Sequence, residues 1–574
     1  MRPTSFPGTT TQAALQSIRQ ELEGCMFRHV EGFFAKYFED TSWCVAVENM
    51  MRETQSAESV RKLSTDLPRL THFDALVNWL AACEALLSAG SRGSFCFRSQ
   101  PLSGPASPLV ASIWLGTSDS GVSAGNTRAL GEYHQAGAHD EAEHDTDLFH
   151  FCDRARQIFT AEPARRFLHG FTLCGTTLEL WVFDRSGAYS SGKLDLSQQP
   201  GLLLHVLAGY TMMRDEEAGC NTFVKRRASA PDSFVAFGPH TLYLRPTLVA
   251  APRHLVGLGT TCYAASATTT GEPDSVVKFS WRKDRMHAEL RLLQLAHRRR
   301  VWGVVQLVGH EDLGSVADLR HGLVFPQPFV NRTLSCVATA PLGRPIQTFA
   351  SISELLAALR DLVRALQSLY MDGRILHRDI AIKNVVITPQ PSEGSPTGML
   401  IDFDQALDLD NVRAVEPMVG SDGFMAIGIL SGQPHTYRHD LESLFYVFLW
   451  MAIGNDHEHD DAYAILQGMP DTSRLWTWCS MDFRSVGQEK AADMSPDGFS
   501  HILAEFSVDF APLRALAQEL HRLLFPLRDG HIFTGTETEP TAIKRLYDGM
   551  ADAFSRNASE RKKQERPATC QALQ

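Results

Sequence analysis

Polar residues with a defined spacing interrupt apolar stretches in the second half of the chain. Residues 375–387 read Ile-Leu-His-Arg-Asp-Ile-Ala-Ile-Lys-Asn-Val-Val-Ile, and residues 400–404 read Leu-Ile-Asp-Phe-Asp. An acid, an amide five residues later and a second acid beyond a strand–turn–strand are the groups that phosphoryl transfer requires. We predict that Asp379 orients the attacking hydroxyl group and accepts its proton, and that Asn384 and Asp402 bind Mg²⁺.

A candidate nucleotide clamp precedes these residues in the chain. Residues 256–263 read Val-Gly-Leu-Gly-Thr-Thr-Cys-Tyr, and Lys278 lies in the next apolar stretch. Gly257 and Gly259 allow backbone N–H groups to approach phosphates, and a following lysine can pair with the α- and β-phosphates of ATP. The glycine pair alone fits a plain β-turn as well, and its position before Lys278 favours the clamp. Glu289 is the candidate carboxylate that positions Lys278 through an ion pair.

Hydrophobic periodicity predicts the elements that hold these residues. Residues 167–190 alternate between apolar and polar side chains around a turn, which is typical of a β-hairpin, and residues 234–279 are rich in strand patterns. Ser351–Glu354 form a capping box at the start of an amphipathic helix. Residues 440–451 are apolar almost all round, which predicts a helix that is buried on every side.

The composition is that of an ordinary globular protein. Of 574 residues, 44% are apolar and 21% are charged, which excludes collagen-like, coiled-coil and wholly disordered chains. A net charge of -12 argues against nucleic acid as the main partner. Eleven cysteines, without a C-x-x-C pair, indicate reduced thiols inside the cell. Because no secretory signal or membrane-spanning run is present, we expect a soluble, cytoplasmic protein, with a nuclear location as an alternative.

Taken in this order, the motifs resemble those of a eukaryotic-type protein kinase domain. The chain is most similar to the fungal-type protein kinase family, and the likeness extends over about residues 167–554. Besides the catalytic motifs, the likeness rests on four segments, which are residues 165–187, 339–345, 420–427 and 434–443. The most specific of them is 434–443, which reads Pro-His-Thr-Tyr-Arg-His-Asp-Leu-Glu-Ser.

The resemblance implies ATP and Mg²⁺ as cofactors and a protein as substrate. It adds Arg378 to the catalytic residues, as the middle residue of the triplet 377–379. It also implies that Asp440 accepts backbone hydrogen bonds from this triplet, as a buried carboxylate requires. Ser421 corresponds to a hydroxyl group at the substrate-facing end of the activation segment, which favours Ser or Thr as the acceptor.

Four positions depart from the usual pattern of active protein kinases. Cys262 occupies a glycine position, Asp404 follows Asp402-Phe403 in place of glycine, Gly428 replaces a glutamate that anchors the activation segment, and Ala381 replaces a lysine. The positive charge lies at Lys383 rather than at position 381, a pattern that is closer to that of tyrosine kinases. The type of acceptor therefore stays open. Two alternatives to a protein kinase also stay open, namely a pseudokinase-like scaffold and a kinase for a small hydroxylated molecule.

We therefore predict an α+β chain with a two-lobed, protein kinase-like fold and an N-terminal helical and β-hairpin extension. Helical periodicity covers residues 12–37, and residues 88–143 look like an insertion or linker. The predicted segments are an N-terminal helical region with a Gly/Ser-rich and His/acid-rich linker (1–150), an upstream segment with the β-hairpin (151–233), the kinase N-lobe (234–337), the kinase C-lobe (338–555) and a basic, flexible tail (556–574).

Overall fold

The computed structural model describes most of the chain, in two compact units. It covers residues 12–571 except 40, 42, 55–61, 63–64, 68–69, 89–94, 103–108, 118–126, 136–140, 200, 227–232, 284–287, 390–393, 412–417, 455–468 and 480–481. The first unit comprises residues 1–273, 277–285 and 310–337, and the second comprises residues 274–276, 286–309 and 338–574. Both helices and strands are present, as the α+β prediction requires.

The first unit contains a seven-stranded sheet with the order β1-β7-β6-β5-β4-β3-β2. Its strands are β1 (Met26–Phe27), β2 (Phe95–Pro101), β3 (Val110–Thr117), β4 (Thr127–His134), β5 (Phe167–Cys174), β6 (Thr177–Asp184) and β7 (Gly187–Asp195). Strands β4 and β5 are parallel, as are β1 and β7, while the other pairs are antiparallel. A parallel pair needs a long crossover, and helix α4 (Glu141–Ala161) provides it between β4 and β5.

Alternating side chains of this sheet build two separate cores. On one face, residues of β3 to β7 such as Leu115, Phe171 and Val182 pack with helices α2 (Cys44–Thr54), α3 (Phe73–Ser88) and α5 (Leu202–Met212). On the other face, residues such as Trp114, Leu130 and Phe183 pack with α4 and with α1 (Gln12–Leu22). Both faces of the sheet are therefore covered by helices.

Two of three predictions for the N-terminal part were wrong. The segment 88–143 is not a linker, because β2, β3 and β4 lie within it as members of the sheet. The predicted β-hairpin is present as β5 and β6, and β7 extends it to a three-stranded meander. The helix predicted over 12–37 ends at Leu22, where Gly24 takes a left-handed backbone with φ of 70° that ends the helix.

A second seven-stranded sheet has the order β13-β14-β12-β11-β10-β9-β8 and lies largely in the first unit. Its strands are β8 (Lys225–Arg226), β9 (Ser233–Phe237), β10 (His240–Ala250), β11 (Thr261–Ser266), β12 (Ser275–Lys283), β13 (Gln306–Ser315) and β14 (Arg332–Ala340). Helix α6 (Ala288–Arg298) follows β12, and the short helix α7 (Val316–Leu319) follows β13. The strands predicted over 234–279 are present.

The second unit is mainly helical beyond α6. Its helices are α8 (Ile352–Met371), α9 (Ile427–Leu430), α10 (Tyr437–Ile453), α11 (Phe483–Asp493), α12 (Pro496–Ala504), α13 (Arg514–Leu524) and α14 (Pro540–Gln571). All seventeen residues of α10 are buried, which confirms the helix predicted to be buried on every side. At the start of α8 the Ser351 hydroxyl accepts a bond from the Glu354 N–H at 3.2 Å, while Glu354 accepts one from the Ala350 N–H at 2.6 Å.

Short strands complete the second unit. They are β15 (Arg344–Pro345), β16 (Ile375–Leu376), β17 (Val385–Ile387), β18 (Gly398–Leu400), β19 (Leu407–Asp408), β20 (Leu527–Arg528) and β21 (His531–Ile532). β17 pairs with both β15 and β18, and β16 pairs with β19.

The part of the predicted flexible tail that the structure describes is helical, and residues 572–574 lie outside the described residues. Residues 556–571 continue α14, and Glu565 accepts hydrogen bonds from the Ser353 N–H, at 3.3 Å, and from the Ser353 hydroxyl. Tyr547 donates to the Leu366 carbonyl in the same helix pair, at 3.4 Å. Packing against α8 therefore extends α14 beyond the last apolar residues. Within the described part of the chain, no helix combines the length and the apolar character that crossing a membrane needs.

Candidate active site

A buried carboxylate fixes the loop that contains the predicted catalytic triplet. The N–H groups of His377 and Arg378 donate to the two oxygens of Asp440, each at 2.9 Å. Asp440 lies near the start of α10 and also faces His435, at 3.2 Å. Burial by itself raises the pKa of Asp440, but its contacts with His435 and the hydrogen bond from the His377 N–H lower it below the usual value. The carboxylate thus stays charged and holds the loop, as the resemblance implied.

The carboxylate of Asp379 is held from two sides. Ser421 donates to Oδ1 at 2.6 Å, and the Asn384 amide nitrogen donates to Oδ2 at 2.8 Å and to the Asp379 carbonyl at 2.8 Å. The Lys383 ammonium lies 3.8 Å from Oδ2. Asp379 is only 8% exposed, so these donors take the place of most of its solvent contacts. The arrangement can orient and deprotonate a hydroxyl group.

The β17–β18 hairpin sets the relative positions of Asn384 and Asp402. Val385 and Leu400 are paired across the hairpin, and the Ile401 N–H donates to the Asn384 carbonyl at 3.0 Å. Asp402 then adopts a positive φ of 66°, a conformation that costs a non-glycine residue energy and often occurs at functional sites. The amide nitrogen of Asn384 is bound to Asp379, which leaves its oxygen as the natural ligand atom for a metal ion.

Three carboxylates of the second unit lie together. Oxygens of Glu289, on α6, and of Asp402 and Asp404, after β18, all lie within 4.8 Å of one another. Glu289 is only 3% exposed, and carboxylates at this spacing repel one another unless a cation or a proton intervenes. Carboxylate and amide oxygens are the hard donors that Mg²⁺ prefers, so the donor set fits this ion.

The position of Asp404 extends the predicted metal site. The sequence indicated Asp402 as a ligand and treated Asp404 as a departure from the usual glycine. Their carboxylates instead converge with that of Glu289. The signal that could have indicated this is the acid–aromatic–acid spacing of residues 402–404, together with an acid on the helix after the lysine strand.

Of the predicted nucleotide-clamp residues, Lys278, Gly257 and Gly259 lie in the first unit, whereas Glu289 lies in the second. Lys278 is half-buried on β12, and Gly257 and Gly259 form the connection between β10 and β11. Both glycines have positive φ, of 123° and 53°. The Gly257 N–H donates to the Arg185 carbonyl at 3.0 Å, and the Arg185 guanidinium donates to the His254 carbonyl at 2.7 Å. The glycine segment is therefore held by Arg185, a residue of the β6–β7 turn.

The structure thus brings two groups of predicted residues together within the second unit. Asp379 and Asn384 share a hydrogen-bond network with Ser421, and Asp402 and Glu289 share a carboxylate cluster. Sequence reasoning missed two residues of this region, Glu442 and Lys490, both of which are fully buried. Glu442 belonged to the family-like segment 434–443, but nothing in its spacing indicated which backbone group it would bind.

A comparison with known protein families shows the family of this chain. A family model described as fungal protein kinase matches residues 116–452, which is more than half of the 574 residues. The chain therefore belongs to the fungal protein kinase family.

A solved structure also matched this chain, at low sequence identity. A structure of vaccinia related kinase 3 is 13% identical to this chain, covers 59% of this chain and 94% of its own, and superimposes with a TM-score of 0.33.

Proposed function

We propose that this chain is a Mg²⁺-dependent protein kinase that transfers the γ-phosphoryl group of ATP to a Ser or Thr hydroxyl of a protein. The observation that carries the proposal is the Asp379 carboxylate, which Asn384 and Ser421 hold in one orientation at 2.8 and 2.6 Å. An acid fixed in this way can align an acceptor hydroxyl and take its proton. Membership of a protein kinase family supports this chemistry.

The roles of the other site residues follow from their chemistry. Asn384 and Asp402 would hold Mg²⁺, and the neighbouring carboxylates of Glu289 and Asp404 would add to its negative environment. The bound ion supplies positive charge that offsets the charge on the phosphates. Lys278 would orient the α- and β-phosphates, and backbone N–H groups beside Gly257 and Gly259 would contact them. Glu289 is then both a predicted partner of Lys278 and a member of the carboxylate cluster.

The acceptor is proposed to be Ser or Thr because of Ser421. Its hydroxyl bond to Asp379 ties the substrate-facing segment to the proton acceptor. Lys383, the feature that resembles tyrosine kinases, is 57% exposed and lies 3.8 Å from Asp379, so its pairing with that carboxylate is weak. The Ser421 contact is therefore the better guide to acceptor type.

The proposal is tested by transfer of labelled phosphate from Mg-ATP to a protein. The full chain should label dephosphorylated casein, while Asp379→Asn and Lys278→Met proteins should label it at least about 100-fold more slowly. Asp552→Asn, an exposed residue on α14, is the matched control and should retain wild-type activity. Equal labelling by all four proteins would reject the assignment of Asp379 and Lys278.

Phosphoamino-acid analysis of the product decides the acceptor. Phosphoserine and phosphothreonine support the proposal, and phosphotyrosine alone overturns the Ser/Thr assignment. Transfer to hydroxylated metabolites but to no protein would select a small-molecule kinase. The absence of any transfer by a folded, nucleotide-binding protein would select the scaffold.

A further inference from the structure

The substrate-facing segment lacks its usual anchor. At Gly428, where protein kinases usually have a glutamate, a Cβ atom would overlap the His439 ring. The backbone of residues 421–427 is bound instead by the side chains of Glu442 and Lys490.

Glu442, on α10, makes one of the replacement contacts. Its Oε1 accepts bonds from the Ile427 N–H and from the Tyr446 hydroxyl, each at 2.7 Å, and its Oε2 is paired with Arg438. Glu442 is completely buried. Burial raises its pKa, but the charge of Arg438 and the hydrogen bonds from Ile427 and Tyr446 lower it more, so the carboxylate is ionised.

Lys490, on α11, makes the other contact. Its side chain is 0% exposed, and its ammonium group donates to the carbonyls of Gly423 and Met425, each at 2.8 Å. The same nitrogen lies 4.2 Å from the Tyr446 ring centroid and 4.9 Å from that of Trp478. Two carbonyls and two aromatic faces surround a cation, which is the geometry of a charge that is bound rather than solvated.

We propose that Lys490 is a positioning residue for the phosphoryl acceptor, acting through the backbone of Gly423 and Met425. The proposal rests on the proposed kinase function. Its physical route is short, because Ser421 belongs to the same turn and donates to Asp379, and the Phe424 N–H donates to the Ser421 carbonyl at 3.1 Å. A shift of the Gly423 and Met425 carbonyls would move Ser421 away from the proton acceptor.

The position of Lys490 carries an energetic cost that packing alone does not explain. Burial lowers the pKa of Lys490 to about 7, against the opposing charges of Glu442 and Asp422. A methionine would fill similar space without a charge to desolvate. The charge allows Lys490 to donate strong hydrogen bonds to the carbonyls of Gly423 and Met425, and these bonds favour a positioning role.

Hydrogen exchange tests this role without any need for activity. In Lys490→Met, the amides of residues 421–427 should lose at least about tenfold in protection, while those of α10 keep theirs. Lys544→Met, on the exposed surface of α14, is the matched control and should change neither. Unchanged protection of residues 421–427 in Lys490→Met would overturn the proposal.

The wild-type protein offers a second measurement in case the variant does not fold. Opening of the segment would hydrate Lys490 and return its pKa towards the ordinary value, so the protection factors of residues 421–427 should rise between pH 7 and pH 9. The groups that face Lys490 from α10, from the turn at 474–479 and from the segment are Glu442, Tyr446, Cys479 and Asp422. Burial raises the pKa values of Tyr446 and Cys479. A constant protection over this range overturns the proposal.

Steady-state kinetics separates positioning from general structural damage. Lys490→Met should raise the KM for dephosphorylated casein about tenfold and leave the KM for ATP unchanged. An equal change in both constants would contradict positioning. If the wild-type chain transfers no phosphate at all, the proposed function fails, whereas the exchange result still decides whether Lys490 holds the segment.

Discussion

Buried charges near the catalytic loop illustrate how single residues set the geometry of this protein. Asp440 and Glu442 lie two residues apart on α10. Asp440 accepts two backbone N–H groups of the loop at 377–378, and Glu442 accepts the N–H of Ile427 at the start of α9. Removing either side chain would leave buried donors without partners, which usually costs 1–3 kcal/mol or more. Lys490 is the complementary case, since a buried cation binds backbone carbonyls.

Stability should depend on pH through Lys490. Its pKa is lowered by burial from 10.5 to about 7 in the folded chain. Between these values the unfolded chain binds more protons than the folded chain, so the contribution of Lys490 to the free energy of unfolding rises with pH. Relative to Lys490→Met, the wild-type chain should gain about 2 kcal/mol between pH 7 and pH 9 in urea unfolding.

The control for this experiment is Lys544→Met, which removes a largely exposed lysine. The difference between that variant and the wild type should be the same at both pH values. If the difference in unfolding free energy between Lys490→Met and the wild type is also the same at both pH values, the pKa of Lys490 in the folded chain is close to its ordinary value.

Residue spacing indicated part of the site, and packing decided the rest. Asp379, Asn384 and Asp402 could be predicted because short strands impose fixed offsets between them. Lys490 could not be predicted, because its carbonyl partners lie more than sixty positions away in the sequence. Nothing in its local sequence distinguishes it from a solvated lysine on a helix.

The connection between β10 and β11 also depends on a contact with a residue that is distant in the sequence. The glycine segment in this connection has its backbone bound to Arg185. Arg185 is completely buried and donates to the carbonyls of His254 and Leu255 just before the glycines. The β6–β7 turn of the upstream sheet therefore sets the conformation of the glycine segment.

Substituting Gly259 should destabilise the chain more than substituting Gly238, a glycine with a similar backbone conformation. Gly259 has φ of 53°, and an added Cβ would lie 2.6 Å from Arg185 Nε; Gly238 has φ of 56°, with nothing within 4 Å. Both alanine variants bear the cost of a left-handed residue, about 1–2 kcal/mol. The free energy of unfolding should fall by about 1–3 kcal/mol more in Gly259→Ala than in Gly238→Ala, because the new methyl group also displaces the buried Arg185 side chain.

Urea unfolding of the two variants measures this difference directly. Equal destabilisation would show that the Arg185 contact does not hold the glycine segment. A Gly259→Ala/Arg185→Ala double variant that recovers part of the loss would locate the effect in that contact.

Local patterns failed where pairing is distant along the chain. Strands β2, β3 and β4 are flanked by stretches rich in Gly and Ser, which made residues 88–143 look like a linker. Strand β4 pairs in parallel with β5 across the long helix α4, and periodicity carries no signal for such a pairing. The helical end of the chain was missed for a related reason, since Glu565 contacts Ser353 rather than a local neighbour.

For the molecule as a whole, the sheets define the units better than the predicted boundaries do. The boundary at residue 150 falls between β4 and β5, which are hydrogen-bonded neighbours, and the boundary at 234 falls within β9. The match to the fungal protein kinase model begins at residue 116, inside the first sheet. Strand β2 and most of β3 lie outside the match but pair with strands inside it, so the N-terminal region is part of one folded unit.

Binding of nucleotide should stabilise the folded chain and depend on the carboxylate cluster. At about 100 times its Kd, Mg-ATP should add about 2.7 kcal/mol to the free energy of unfolding, which thermal unfolding detects as a higher Tm. Because Asp402 and Glu289 carry carboxylates within 4.8 Å of each other, Asp402→Asn and Glu289→Gln should weaken the Mg²⁺-dependent part of this shift, whereas Asp552→Asn should not. A shift of equal size with Mg²⁺ and with EDTA in all proteins would rule out a metal role for the cluster. A full shift without phosphate transfer would instead identify a chain that binds nucleotide and serves as a scaffold.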